Sequence, residues 1–437
     1  MYLADSRGTD SREAQAAVVP DSRPGRRPAA VPGTVLALGA VSLITDVSSE
    51  MVTAVLPLYV VTGLGLSPLG FGLLDGINNG VGALVRLLGG HLADGGGRRH
   101  KAVAGLGYAL SALCKPLLLL AHTLPVISVV LAADRTGKGL RTAPRDAMIS
   151  LATEPEHRGR AFGVHRAMDT TGALLGPLVA FALLRATVDG YDAVFTVSGC
   201  VAALGVLVLV LFVPGRTTAA DLRPEEPRRS SGAPPEQSRP ALRDALGLLR
   251  RPELRRLTLC ATLLGLTTVS DSFLYLLLQR EGDLPAHLFP LLPLGTAAVF
   301  LLLAVPFGAL ADRVNRRRLF LAGHGILLLG YALVLSPWHG VPAVLAVLFL
   351  HGTFYAATDG VLAAATAGAV PARHQGAGQA LVGTGQALAR FTCSLAFGAA
   401  WSAWGGRTAL AVTAAALAVS AVTAAYVLRT TSEVKPA

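Results

Sequence analysis

The sequence predicts an all-α membrane protein with twelve transmembrane helices in two pseudo-symmetric six-helix bundles. Three observations carry this expectation. The 437-residue chain is 52% hydrophobic and 15% charged, with a mean hydropathy of +0.54, whereas a soluble domain carries about 25% charged residues. Apolar stretches of about 20 residues recur, each long enough to cross a hydrocarbon core of about 30 Å. A polar central segment divides these stretches six and six, and short signatures repeat on either side of it. Barrel strands are excluded because the spans are too long and too uniformly apolar, and only helices or closed barrels satisfy the backbone in lipid.

Residues 1–33 are polar, basic and Pro-containing, and lack the apolar core and cleavage site of a secretory signal. They read as a disordered cytoplasmic tail. The predicted spans of the first bundle, residues 34–213, are Thr34–Val61, Pro68–Leu92, Ala102–Leu120, Leu124–Leu151, Ala161–Leu184 and Ala193–Val213. Residues 214–256 hold Pro224, Pro227, Pro234, Pro235 and Pro240 among Arg, Glu and Ser, the composition of a flexible cytoplasmic linker. A short amphipathic helix over Ala241–Arg251 closes it. The second bundle, residues 257–428, follows with Leu257–Leu278, Leu288–Ala311, Leu319–Leu335, Val341–Val370, Ala377–Trp401 and Thr408–Leu428, and residues 429–437 form a cytoplasmic tail.

The net charge of +11 raises the question of a nucleic-acid partner. Its distribution answers against one. With the N-terminus in the cytoplasm, 27 of the 38 Lys and Arg fall in cytoplasmic segments, three in external loops and eight within spans. That is the positive-inside bias of a multi-pass inner- or plasma-membrane protein. Cys114, Cys200, Cys260 and Cys393 lie singly in apolar spans, so no disulfide framework or zinc site is expected. The His residues show no metal spacing, and no phosphate-binding loop appears. The sequence therefore predicts no cofactor, no metal and no enzyme activity. Monomer is the default expectation, with the lipid bilayer, protons and a small-molecule substrate as partners.

The charged residues inside spans are the strongest functional signal, because a charge near the bilayer centre costs roughly 2.5–3.5 kcal/mol on insertion scales. Asp46, Glu50, Thr53 and Pro57 form one stripe of the first span. Two carboxylates one turn apart repel unless a cation or proton intervenes, so Glu50, the deeper one, is a candidate proton carrier. Static pairing with Arg135 or Arg166 is the alternative. In the second span Asp75 and Arg86 read as structural, and Asn78 and Asn79 as polar lining. Lys115 in the third span is a pathway group or a counter-ion. Asp134, Lys138, Arg141 and Arg145 share one face of the fourth span, with Arg135 beside them. They read either as a cationic wall facing an anionic substrate or proton, or as a structural ion-pair ladder. Asp134 is within reach of Lys138 along that stripe, and Asp146 closes the run. In the fifth span His165, Asp169, Gly172 and Gly176 align, with Arg166 alongside; a His165–Asp169 pair would suit a proton relay, a satisfied interfacial histidine being the blander reading. The second half contributes Asp271, Asp359 and Arg390 near mid-depth, with the acids expected to pair with Arg390 or contact substrate. The aromatic residues look scattered and suggest no cage.

Gly90-His-Leu92-Ala93-Asp94 recurs as Gly308-Ala-Leu310-Ala311-Asp312, offset by 218 residues. Pro155…Gly159 and Pro371…Gly376 repeat at nearly the same offset. On these residues the chain resembles the major facilitator superfamily over nearly its whole length. Gly90, Leu92, Ala93, Asp94, Gly97, Arg98 and Arg99 match that family's G-x-L-a-D-r-x-G-r-[rk] loop, with Gly95 where Arg is usual. The second copy supplies Gly308, Leu310, Asp312, Arg313, Arg316 and Arg317, with Asn315 at a Gly position, where Asn tolerates the left-handed backbone. Arg135 to Gly139 resembles the R-x-x-x-G element. Gly172 through Gly176-Pro177 resembles the G-x-x-x-G-P element associated with antiporters, although Ala180 replaces a later glycine. The fourth-span run also resembles a branch of largely uncharacterised prokaryotic members.

The resemblance implies a secondary transporter working by alternating access. With the buried carboxylates it leads to proton-coupled efflux of a small organic solute as the expectation. Proton-coupled import of an anionic metabolite is the alternative, and a non-transporting membrane receptor the alternative of another class. Asp46, Glu50, Lys115, Asp134, Arg135, Lys138, His165, Arg166, Asp169, Asp271, Asp359 and Arg390 are the expected substrate and proton pathway. Gly90, Asp94, Arg98, Arg141, Arg145, Asp146, Gly172, Gly176, Pro177, Gly308, Asp312 and Arg316 are the expected gating elements.

Overall fold

The computed structural model describes residues 31–92, 100–154, 157–188, 190–214, 247–370 and 375–429. Asp94, Arg98 and most of the linker lie outside them, as does most of the expected amphipathic helix; its last residues form a 3-10 turn, Leu248–Arg250. Thirteen α-helices occur among the described residues, and no strand. They are α1 Gly33–Leu58, α2 Pro68–Leu92, α3 His100–Leu117, α4 Leu124–Leu151, α5 Arg158–Ala186, α6 Gly190–Phe212, α7 Pro252–Gly265, α8 Asp271–Glu281, α9 Leu291–Arg313, α10 Arg316–Leu335, α11 Val341–Ala369, α12 Gln375–Trp404 and α13 Gly406–Arg429.

Among the described residues, eight helical segments are long and apolar enough to cross a membrane on length and composition alone. The 28-residue α4 is not among them. It is long enough, and its charges rather than its length set it apart. Pro57, Pro116, Pro144, Pro177 and Pro306 all sit inside helices, which membrane helices accommodate when neighbouring groups re-satisfy the freed carbonyls.

The seventh predicted span is not continuous. α7 stops at Gly265 and α8 starts at Asp271. Thr267 and Thr268 turn their hydroxyls back onto the carbonyls of Leu264, a side-chain bond that competes with the helical ladder. Ser270 is the extended N-cap of α8. The Val269 amide donates to the Tyr331 hydroxyl at 2.9 Å, so the broken backbone finds its partner on α10.

Helices of the first half pack mainly on one another: α1 lies against α5 and α6, and α4 against α2 and α3. In the second half α11 lies against α9 and α10, and α12 and α13 against α7. The halves meet where the start of α2 runs along the end of α12. There a Cβ on Gly398 would lie 2.6 Å from the Pro68 carbonyl oxygen, and the Leu69 amide donates to Ser402 Oγ at 3.0 Å. Phe71 of α2 meets Phe273 of α8 edge-on at 4.9 Å, and Phe181 of α5 meets His287 at 6.0 Å. These contacts share one side of the molecule, that of the α1–α2 and α8–α9 connections.

Candidate functional site

Between the two sequence halves lies a cavity of about 400 Å³. α1 lines it with Glu50, Thr53 and Pro57, α2 with Asp75, Asn78 and Asn79, and α5 with Pro177. The α7–α8 break lines it with Thr268 to Ser272, α11 with Tyr355 and Asp359, and α12 with Arg390 and Ser394. An unwound segment at a binding cavity offers backbone polar groups that a continuous helix would keep for itself.

Glu50 is brought to the cavity by close helix packing. A Cβ on Gly176 would lie 2.7 Å from the Glu50 Cβ and 2.8 Å from the Val47 carbonyl oxygen, so a glycine is required where α5 crosses α1. Gly172 serves the same crossing one turn earlier, against Leu43. The Glu50 carboxylate faces Lys138 Nζ at 3.5 Å, and that pair is partly exposed.

Asp75 is 4% exposed. Its Oδ2 accepts from Ser394 Oγ of α12 at 2.6 Å and from Asn79 Nδ2 at 3.3 Å. This carboxylate therefore ties the two halves together at the cavity wall. Asp271 is the first residue of α8, where a carboxylate complements the helix dipole. Its Oδ1 accepts from the Tyr355 hydroxyl at 2.7 Å and lies 3.0 Å from His351 Nε2. An ionised carboxylate only accepts, so His351 donates through Nε2. His351 is 2% exposed, and its Nδ1 has no hydrogen-bond partner among the described residues. Arg390 forms no hydrogen bond or ion pair among the described residues, so of the two expectations for the acids, pairing with Arg390 or contact with substrate, the pairing does not form; Asp359 is exposed and likewise makes none.

The remaining charges of the first half form a chain of pairs beside the cavity. Asp134 pairs with Lys115 at 2.8 Å, accepts from Ser111 at 2.6 Å and lies 3.8 Å from Arg135. The Asp134–Lys138 pairing allowed by helical spacing does not form, because Lys138 reaches α1 instead. Arg135 also donates to Thr53 at 3.3 Å. Asp46 takes Arg141 at 3.3 Å, and Arg141 stacks over the Tyr108 ring at 4.5 Å. Arg145 joins Asp146 at 3.1 Å, Asp169 at 3.6 Å and Ser42 at 3.3 Å, and Arg166 reaches Asp169 at 3.6 Å. His165 bonds Ser42 at 3.0 Å rather than Asp169, which its two arginines already occupy. Lys138, Arg141 and Arg145 do not line the central cavity, and Arg135 lines only a smaller adjoining pocket.

At the second copy of the repeated loop, Asp312 takes Arg316 at 3.3 Å, and Arg316 also donates to the Ala364 carbonyl at 3.3 Å. Gly308 lies on α9 with open space where a Cβ would be. Asn315 is not left-handed. It has φ −64° and ψ 113°, and its side chain accepts from the Arg317 amide at 3.0 Å as the N-cap of α10. Gly90, near the end of α2, belongs to the first copy.

The sequence left four participants without a role: His351, Tyr355, Ser394 and the α7–α8 break. His351 and Tyr355 follow Asp271 by 80 and 84 positions. No local pattern joins them. The aromatic residues also converge, since Tyr275, Phe289, Phe300 and Tyr355 all line the cavity.

The family model of the Major Facilitator Superfamily matches residues 38–297 and 272–437. An uncharacterised MFS-type transporter of Methanocaldococcus jannaschii, MJ1317, is 28% identical over 329 residues, covering 73% of this chain and 76% of that protein. The uncharacterised protein Rv2265 of Mycobacterium tuberculosis is 35% identical over 176 residues, 40% of each chain. Among solved structures, a bacterial homologue of the human lysosomal transporter Spinster, inward-facing and unoccupied, superposes with TM-score 0.74 at 16% identity, covering 92% of this chain and 98% of that one. The nucleoside transporter NupG gives TM-score 0.74 at 13% identity, covering 90% and 99%. At such identities the solved structures speak for the fold, while the family match speaks for membrane transport rather than enzyme chemistry. The chain belongs to the major facilitator superfamily.

Proposed function

We propose that this protein is a proton-coupled antiporter that exports a small organic solute by alternating access. In this reading the chain crosses the membrane twelve times as two six-helix bundles, α7 and α8 together making the seventh crossing. Both termini lie in the cytoplasm, consistent with the positive-inside distribution of Lys and Arg. One chain encloses the cavity, so a monomer suffices. The observation that carries the reading is the placement of Glu50 in a cavity between the halves, with Lys138 at 3.5 Å as its one ion-pair partner among the described residues. Protonation of Glu50 removes that attraction, and deprotonation restores it. A carboxylate so placed is available to solute and proton in turn.

The cross-half contacts described above close the cavity on the side of the α1–α2 connection, which this topology places outside. A second space of about 170 Å³ shares Tyr355, Asp359 and Arg390 with the cavity and continues along α11 and α12 to Ala363 and Gln379. Both features favour an inward-open state, with the outer contacts of α2, α8 and α12 separating in the opposite state.

The test is solute-evoked proton movement in inside-out vesicles, read with a pH-sensitive dye over a panel of cationic, neutral and anionic solutes. Gradient collapse by some solutes, absent with Glu50→Gln, is expected. No response to any solute from folded protein would reject antiport.

A further inference from the structure

Resting on that transport reading, we propose that the central cavity selects solutes carrying a positive charge on an aromatic or bulky apolar body. The lining holds the carboxylates of Glu50, Asp75, Asp271 and Asp359 against the single guanidinium of Arg390. Counting Lys138, which pairs with Glu50, and setting aside the buried Asp75, the acids still exceed the cations by one. In a cleft with low-dielectric walls a charge surplus of one sign raises the local concentration of the opposite sign.

Not all four acids are equally available. Asp75 is taken by Ser394 and Asn79, Asp271 by Tyr355 and His351, and Glu50 by Lys138. Asp359 is exposed and makes no hydrogen bond or ion pair among the described residues. It is the carboxylate left to receive a ligand. The aromatic faces stand in the same lining. Phe300 and Tyr355 are partly exposed and supply apolar area and ring faces that attract cations within about 6 Å, while Tyr275 and Phe289 are buried in the wall. The fourth-helix cations that would suit an anion are engaged by Glu50, Asp46, Asp134, Asp146 and Asp169. Arg390 alone does not reverse the sign of the cavity.

The direct test is equilibrium dialysis of the purified full chain in detergent with radiolabelled tetraphenylphosphonium and its near-isosteric anion, tetraphenylborate. Empty micelles define partitioning into detergent. Saturable tetraphenylphosphonium binding, at least about tenfold tighter than tetraphenylborate, is expected. Asp359→Asn should weaken the cation about tenfold, the size of one partly solvated charge interaction. Asp359→Glu should retain binding, and Asp283→Asn, on the exposed α8–α9 connection, should leave it unchanged. Elution of each variant as a single gel-filtration peak establishes that it is folded. Equal or tighter tetraphenylborate binding, non-saturable cation uptake, or an Asp359→Asn variant that binds like the parent would overturn the proposal. Binding requires no gradient and no turnover. Saturable cation binding without proton movement would therefore reject antiport and leave this inference standing, whereas proton movement evoked only by neutral or anionic solutes would do the reverse.

Discussion

Replacing Asp134 with Asn should destabilise the protein by about 3–5 kcal/mol, whereas replacing both Asp134 and Lys115 should cost far less. Lys115 is 2% exposed and Asp134 is 3% exposed, and their atoms meet at 2.8 Å. At an effective dielectric constant of about 20, two unit charges at that distance attract by about 6 kcal/mol. Desolvation of the two ions offsets much of this, so the pair as a whole contributes little. Losing one member is different, because the other stays buried without its counter-charge. Asp134→Asn leaves the Lys115 ammonium facing a neutral amide, with Arg135 nearby to repel it. The Lys115→Met, Asp134→Leu double variant removes both charges and keeps the volume. The assay is denaturant unfolding in detergent, followed by tryptophan fluorescence over the four corners of the double-mutant cycle. A double variant close to the parent, with Lys115→Met and Asp134→Leu each much weaker alone and Asp134→Asn as weak, is predicted. Two independent losses that simply add would refute the reasoning and turn attention to a transport role for one partner.

Three further outcomes follow from close contacts. Gly176→Leu, which pushes side-chain atoms into Glu50 and Val47, should lower stability by about 1–3 kcal/mol and abolish solute-evoked proton movement; unaltered coupling would show that the α5–α1 crossing does not position Glu50. Cysteines at Leu69 and Ser402, in a background lacking Cys114, Cys200, Cys260 and Cys393, should cross-link and stop transport until reduced, because the amide of one residue touches the hydroxyl of the other; transport by the cross-linked protein would mean that this face need not open. Asn315→Ala should cost about 1 kcal/mol through loss of the α10 cap, measured by denaturant unfolding, and Asn315→Ser should recover most of it.

The fold was largely legible because hydrophobic length and charge placement are local properties. The spans Pro68–Leu92 and Leu124–Leu151 coincide with α2 and α4 at both ends, and Leu319–Leu335 shares its end with α10, which starts three residues earlier at Arg316. The break at residues 266–270 was not legible, because Leu-Thr-Thr-Val-Ser is apolar enough to pass as a span, and the interruption depends on Tyr331 from another helix. The charged residues were easy to find and hard to pair. Helical spacing placed Asp134 near Lys138, yet the closer partner came from α3. Spacing also placed His165 near Asp169, but Arg145 and Arg166 took the carboxylate. In the second half the apparent partners Asp271 and Arg390 do not pair, since His351 and Tyr355 reach the acid first. The cavity aromatics looked scattered because they come from α8, α9, α11 and the α8–α9 connection, and converge only through packing.

The most direct measurement of the central claim compares two modes of transport by the Glu50→Gln variant in proteoliposomes. One is solute–solute counterflow, which requires alternating access but no proton. The other is solute accumulation driven by an imposed pH gradient. If Glu50 carries the coupled proton, counterflow should persist near the parent rate while gradient-driven accumulation falls to the protein-free baseline. Gradient-driven accumulation at the parent level would contradict the account and move the proton site elsewhere in the chain.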